Sequence, residues 1–127
     1  MGTAELHATR VSVIIPCYEQ GAMLGEAVQS ALDQTHRNYE IIVVNDGSTD
    51  TTAEVAENFK ALYPNRINVI TQKNQGQAAA RQAGLEIATG QFVVMLDADD
   101  RLEPGMMETC LAALAANPQA DIAVGNA

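Results

Sequence analysis

Phe92-Val93-Val94-Met95-Leu96-Asp97-Ala98-Asp99 joins five apolar residues to two carboxylates that stand one residue apart. An apolar run of that length reads as a strand buried on both faces, ending where polar groups reach water. The acids therefore stand at a mouth rather than inside a core. Side chains alternate along an extended backbone, so the pattern predicts Asp97 and Asp99 on one side, able to share a divalent cation. Oxygen ligands alone favour Mg²⁺ or Mn²⁺ over zinc. Acids after a strand also suit the plainer task of capping the next helix, and the motif alone leaves both readings open.

Three further apolar runs precede this one: Val11-Ser12-Val13-Ile14-Ile15, stopped by Pro16, then Ile41-Ile42-Val43-Val44, then Ile67-Asn68-Val69-Ile70. Helical stripes lie between them. Leu24, Ala27, Val28, Ala31 and Leu32 follow the i, i+3, i+4, i+7, i+8 spacing of an amphipathic helix. Val55, Ala56, Phe59 and Leu62 mark a second helix from about Thr51, where Thr51 and Glu54 have capping-box spacing. Ala80, Ala83, Ile87 and Ala88 mark a third, from Gly76 to Thr89, with Gly90 as its C-terminal cap. Its small residues would let it lie close to the sheet. Pro104 opens a fourth helix with Met107, Cys110, Leu111 and Leu114 inward and Asn117-Pro118 as the stop. Asp121–Gly125 reads as a fifth strand. Strict alternation of strand and helix predicts an α/β fold, a three-layer α/β/α arrangement with a mostly parallel sheet. Residues 1–10 read as a leader and 11–127 as one domain.

A net charge of −9 argues against nucleic acid or an anionic membrane as partner, since both want a basic surface. The apolar runs are far shorter than the roughly twenty residues of a transmembrane helix. Two cysteines, Cys17 and Cys110, suggest a reducing compartment more than a disulfide framework, so a cytoplasmic location is expected. There is no Gly-x-x-x-x-Gly-Lys-Ser/Thr loop, no Gly-x-Gly-x-x-Gly after the first strand and no Gly-x-Ser-x-Gly elbow. These absences argue against a P-loop enzyme, a standard dinucleotide domain and the usual hydrolase.

In an open α/β sheet, ligands bind outside the carboxyl ends of the strands. The four strand ends carry Pro16-Cys17-Tyr18-Glu19, Asn45-Asp46-Gly47-Ser48, Lys73-Asn74-Gln75-Gly76 and Asp97-Ala98-Asp99-Asp100. In a parallel sheet these four clusters share one edge, which capping alone explains poorly. Each has a bland reading beside it. Asp46 can initiate an Asx-turn with Gly47, and Ser48 and Asp50 can cap a helix. Tyr18 is either a surface aromatic or a platform on which a base stacks. Lys73 and Arg81 fit a diphosphate, although Arg81 can pair with Glu86 or another surface acid. His7 and His36 have no partner at metal spacing and read as surface residues.

Taken in order, these blocks resemble a known family. Val11 through Tyr18, Ser30-Ala31-Leu32-Asp33-Gln34-Thr35, Val44 through Asp50, Asn74 through Arg81, and Leu96 through Asp100 follow the order of the family 2 glycosyltransferases of GT-A fold. The resemblance implies a nucleotide-diphospho-sugar donor, most often UDP-linked, and an inverting, metal-assisted transfer to an acceptor hydroxyl on a glycan, a lipid or another molecule. It implies that Pro16 and Tyr18 line the base pocket and that Asp46 accepts a hydrogen bond from the base N–H. Asp97 would lie near the ribose and metal, and Asp99 would bind Mg²⁺ or Mn²⁺ bridging the diphosphate. The candidate nucleotide-binding set is Pro16, Tyr18, Glu19, Asp46, Lys73, Gly76, Arg81 and Asp97, with Asp99 and Asp97 as metal ligands. Glu19 stands where the family often has Asn.

Family members continue well past the Asp-x-Asp strand, with acceptor-binding segments and the carboxylate that acts as base. Glu103, Glu108 and Asp121 are poor candidates for that base. The resemblance therefore implies the donor-binding half of a larger enzyme, truncated, inactive alone, and in full length able to work at the cytoplasmic face of a membrane. A truncated sheet edge would favour self-association. Two alternatives are a nucleotide-sugar-binding module without turnover and a nucleotidyltransferase. The latter would want a basic, Gly-rich loop after the first strand, and 17–25 contains neither Lys nor Arg.

Overall fold

A computed structural model describes residues 8–116. The chain runs β1 (Val11–Cys17), α1 (Gly21–Leu32), β2 (Tyr39–Asp46), α2 (Thr52–Leu62), β3 (Ile67–Gln72), α3 (Gln77–Ile87), β4 (Phe92–Met95) and α4 (Met106–Ala116). The four strands form one parallel sheet in the order β3-β2-β1-β4. The expected fifth strand lies outside the described residues. None of the described helices is long and apolar enough to cross a membrane.

β1 and β2 occupy the centre, and every residue of both is buried, which is why their sequences are nearly continuously apolar. Alternation divides their side chains between two cores. Val13, Ile15, Ile41 and Val43 pack with Leu24, Ala27 and Val28 of α1, Ala56 of α2, and Met107 and Leu111 of α4. Ile14, Ile42 and Val44 face the other way, against Ala80 and Ala83 of α3. Among the described residues, one helix thus covers the second face, and it sits very close. A Cβ on Gly84 would lie 2.5 Å from Cγ2 of Ile14.

Several local expectations need correction. Pro16 does not stop β1 but lies inside it, paired in register with Val44. In a parallel ladder a residue turns its N–H and C=O to one neighbour, alternately along the strand. The Ile14 carbonyl accepts from Leu96 N at 2.9 Å, so Ile14 and Pro16 both turn toward β4. β4 ends at Met95, so the N–H that proline lacks has no strand to serve. The Thr51–Glu54 capping box does not form; a different N–H of that first turn, Thr52 N, is served by the Asp50 carboxylate at 2.9 Å. Gly90 is not a helix cap. It is small because it abuts Ser12, where a Cβ would lie 2.6 Å from the Ser12 nitrogen. Leu62 and Ile87, placed on inward stripes, are exposed near the ends of their helices. His36 is not a surface residue but is 1% exposed, its Nε2 donating to the Thr9 carbonyl at 2.7 Å.

The sheet edge away from the strand C-termini is locked by a buried carboxylate. Glu40 Oε2 accepts from Ser12 Oγ at 2.6 Å, Thr89 N at 2.6 Å and Thr89 Oγ1 at 2.9 Å. Arg10 NH2 stands 3.7 Å from the other oxygen. Burial pushes the Glu40 carboxyl upward, but the Ser12 and Thr89 donors and the Arg10 charge outweigh it and hold its pKa below the ordinary value. Residues 8–10, counted with the leader in the sequence, are thus bound to the domain, Ala8 also accepting from Asn38 Nδ2 at 2.7 Å.

Candidate functional site

The order β3-β2-β1-β4 reverses direction between β1 and β4, since the chain builds outward from β1 to one side and then crosses to the other. At such a switch point the loops leaving the two strands diverge and open a crevice. β1 and β4 pair only from Val11↔Phe92 to Ile14↔Met95. Beyond that a cleft of about 570 Å³ opens. Its floor is Pro16, Cys17, Tyr18 and Gln20; one wall is Asp46, Asn74, Gly76, Gln77 and Ala80, and the other is Asp97 and Asp99. Cys17 is buried there, with its Sγ donating to the Val44 carbonyl at 3.4 Å. Burial, reinforced by the Asp50 and Asp46 charges, pushes its thiol up to about 12, so it is a neutral floor residue and no nucleophile.

Asp46 ends β2 and is only 3% exposed. Its Oδ1 accepts from Gln72 Nε2 and from Gln75 N, both at 2.9 Å, and its Oδ2 from Gly76 N at 3.0 Å. Burial pushes this carboxyl up, but the three donors overcome it and hold its pKa below the ordinary value. The expected Asx-turn at Asp46 does not form; the chain is turned instead by Asn45, whose Oδ1 accepts from Ser48 N, three residues on, at 3.0 Å. Gly47 lets the chain pass. Its φ is 74°, and a Cβ there would lie 2.6 Å from the Asn74 nitrogen. Asp46 is therefore an ionised acceptor clamped onto the β3–α3 loop.

Beside it, Glu19 has a left-handed φ of 53°. Its N donates to Ser48 Oγ at 2.9 Å, and its Oε1 accepts from Thr49 Oγ1 at 3.0 Å and from Thr49 N. Ser48 therefore serves this loop and not a helix terminus. Asp50 lies between two helix starts, Oδ2 accepting from Gly21 N at 3.1 Å and Oδ1 from Thr52 N and Oγ1. Those hydrogen bonds, led by the Thr52 hydroxyl, keep its carboxyl below the ordinary value.

On the opposite wall the acids are gathered by a turn rather than by strand alternation, which corrects the expected geometry. β4 ends at Met95, and Asp100 N bonds to the Asp97 carbonyl at 3.0 Å. Ala98 is buried in the core between the two exposed or half-buried acids. Asp97, Asp99 and Asp100 each offer a carboxylate oxygen, and these oxygens lie within 4.8 Å of one another. An all-oxygen donor set of that size fits a hard divalent cation such as Mg²⁺ or Mn²⁺. Asp97 Oδ1 also accepts from Gln77 Nε2 at 3.2 Å and stands 3.7 Å from Arg81 NH2. Arg81 pairs with this acid and not with Glu86.

Of the residues singled out in the sequence, Pro16, Tyr18, Asp46, Gly76, Asp97 and Asp99 all line the cleft. Arg81 reaches its rim through Asp97, while Glu19 and Lys73 stand outside the lining. The sequence reading gave no role to the side chains of Gln72 and Gln77, whose contacts reach across 26 and 20 residues, and placed Gln75 only within a strand-end cluster, where its backbone N serves Asp46. A run of three glutamines within six residues beside a glycine was the available signal.

Residues 12–127 match the family model described as Glycosyl transferase family 2. Among curated proteins, the chain is 39% identical over 117 residues to Glycosyltransferase GlyG of Streptococcus pneumoniae serotype 4, covering 91% of this chain and 38% of that protein. It is 41% identical over 118 residues to the uncharacterized glycosyltransferase YibD of Escherichia coli K12, covering 93% and 34%. Among solved structures it is similar to S. aureus TarS 1–349 in complex with UDP-GlcNAc, with a TM-score of 0.73, 27% identity, and 86% and 32% of the two chains covered. The mannosyltransferase PcManGT from Pyrobaculum calidifontis, in complex with GDP-Man and Mn²⁺, gives a TM-score of 0.73 and 27% identity over 84% and 31% of the chains. The chain thus spans about a third of the length of these relatives.

Proposed function

Since this chain belongs to glycosyl transferase family 2, we propose that its cleft is the donor site of a metal-dependent inverting glycosyltransferase using a UDP-linked sugar and an acceptor hydroxyl. The observation that carries this is the pairing of a buried, ionised acceptor, Asp46, with Asp97 and Asp99 on the facing wall of one cleft at the switch point, Asp100 standing close beside them. Solved relatives that hold UDP-GlcNAc, or GDP-Man with Mn²⁺, support it.

In this reading Pro16 and the half-exposed ring of Tyr18 flank the base. Three of the four acceptor positions on Asp46 are occupied by protein donors, leaving one on Oδ2 for a ring N–H. Uracil offers that donor at its ring N3, whereas cytosine and adenine present acceptors at the corresponding ring nitrogens. Glu19 shapes the pocket through its bonds to Ser48 and Thr49. Gly76 brings the start of α3 to the diphosphate, with Lys73 and Arg81 supplying positive charge nearby. Asp97, Asp99 and Asp100 would hold Mg²⁺ or Mn²⁺. The bound ion would neutralise charge that builds on the departing nucleoside diphosphate.

The cleft's carboxylates, Asp46, Asp97 and Asp99, are committed to loop, nucleotide and cation. Glu103 lines a separate hollow between α1 and the loop before α4. The proposal therefore places the catalytic base outside residues 8–116. That placement is also what a nucleotide-sugar-binding module without turnover would share, so the two readings agree about the cleft.

A thermal-shift comparison of UDP, GDP, CDP and ADP, with and without Mn²⁺, tests the proposal. UDP with Mn²⁺ should stabilise most, by about 2.7 kcal/mol at a hundredfold excess over Kd. Equal shifts for all four nucleotides would reject the uracil assignment, and shifts indifferent to Mn²⁺ would reject the metal.

A further inference from the structure

The two ends of the cleft are joined by three consecutive residues. Asp46 accepts from the backbone of Gln75 and Gly76, and Gly76, at φ 98°, is the residue from which α3 starts. The next residue, Gln77, sends its amide across the cleft to Asp97 Oδ1 at 3.2 Å. Arg81, four residues on and so on the same helix face, stands 3.7 Å from that same oxygen. One hydrogen bond and one ion pair thus converge on a single oxygen of Asp97, the acid that also belongs to the cluster with Asp99 and Asp100. The amide contributes this without adding positive charge next to a cation site.

We infer that Gln77 is a positioning residue that links the base end of the cleft to the acidic cluster, so that nucleotide and divalent cation bind cooperatively through the first turn of α3. The inference rests on the donor-site reading and deepens it. Whatever orders Asp46 and the Gly76 backbone also orders the Gln77 side chain, which sets the aim of Asp97. By linkage, the ion must raise nucleotide affinity by the factor by which nucleotide raises ion affinity. Gln77 is itself exposed, so replacing it leaves the core intact.

The test is titration calorimetry of UDP at zero and at saturating Mn²⁺, on the 127-residue chain and on Gln77→Met and Gln77→Ala. A parallel Mn²⁺ titration follows the free-ion EPR signal with and without UDP. Methionine keeps the length of the side chain and removes the donor. The gain in UDP affinity conferred by Mn²⁺ should fall roughly tenfold in both variants, while metal-free UDP affinity moves by less than about twofold. A gain that survives intact in Gln77→Met overturns the inference and leaves the donor reading standing. Equal losses with and without Mn²⁺ also overturn it, because they describe a nucleotide contact and no coupling. A parent chain that binds no UDP under either condition overturns the donor reading, and this inference falls with it.

Discussion

Asp46 shows how one side chain can be structural and selective at once. Its three donors stabilise the charged form and also pin the β3–α3 loop, so its replacement has two separable effects. Asp46→Asn keeps the shape, but an amide NH₂ must then face one of the present donors. We expect a stability loss of about 1–3 kcal/mol from that unmade bond. We also expect loss of the preference for UDP over CDP. Preference retained in a folded Asp46→Asn would make Asp46 a loop anchor only. Asp99 is simpler, being exposed and free of structural duty in the core. Asp99→Asn should remove the Mn²⁺-dependent part of UDP binding with the fold intact, and unchanged dependence would assign the ion to Asp97 and Asp100. The residue types that carry the site were visible in the sequence because four polar strand ends fall on one edge of a parallel sheet, which capping alone explains poorly. The side chains that aim the acids were not, because Gln72 meets Asp46 only once β3 lies beside β2, and Gln77 meets Asp97 only once α3 is packed on the sheet.

Elements were legible where burial is uniform and less so where tertiary contact overrides local preference. All four strands and four helices among the described residues fall where periodicity placed them. Pro16 misled because its exemption depends on where a distant strand ends, and His36 because its partner, Thr9, lies 27 residues away. Gly84 shows the balance within one element. Alanine would gain up to about 1 kcal/mol in helix propensity. It would also thrust a Cβ to 2.5 Å from Ile14, and overpacking of that kind costs about 1–3 kcal/mol. Gly84→Ala should therefore lower the urea midpoint. A raised midpoint would mean that α3 shifts freely on the sheet. Glu40 ties β2 to the α3–β4 connection and yields a pH prediction. Its folded pKa lies below its ordinary 4.5, so the unfolded chain takes up the proton first as pH falls. Its stabilisation is therefore fully present above that value and is lost as pH drops through the folded pKa. Glu40→Gln should cost about 1–2 kcal/mol at pH 7, with the difference shrinking below pH 4.5. Stability curves for the two proteins that stay parallel down to pH 3 would remove Glu40 from acid unfolding.

At the scale of the molecule, the polar edge was inferable from the alternation of elements alone: once four parallel strands alternate with helices, the polar strand ends must share an edge. What periodicity could not supply was strand order, and with it the fact that β1 and β4 flank the crevice. That order also separates what this chain holds from what an inverting transfer requires. The proposed donor site draws on residues 11–100, whereas attack on a sugar would need an acceptor held in line and a base to take its proton. The proposed site commits each cleft carboxylate elsewhere. We therefore expect the 127-residue chain to bind UDP-linked donor with Mn²⁺ and to transfer no sugar. Loss of a positioned base alone costs about 10²–10⁴ in rate. Without an acceptor site, the proximity advantage, worth up to about 7–11 kcal/mol in well-oriented systems, is also forfeited. Slow hydrolysis of the donor by water would be the most that remains. The measurement is product formation from several nucleotide sugars against a broad panel of hydroxyl acceptors, run beside the binding assay on the same preparation. Turnover with inversion would refute the expectation that this chain lacks the base, and would mean that Glu103, Glu108 or Asp121, or a carboxylate from a partner subunit, takes the proton. Glu103 would then be the first carboxylate to replace, since the hollow it lines adjoins the loop that carries the acidic trio.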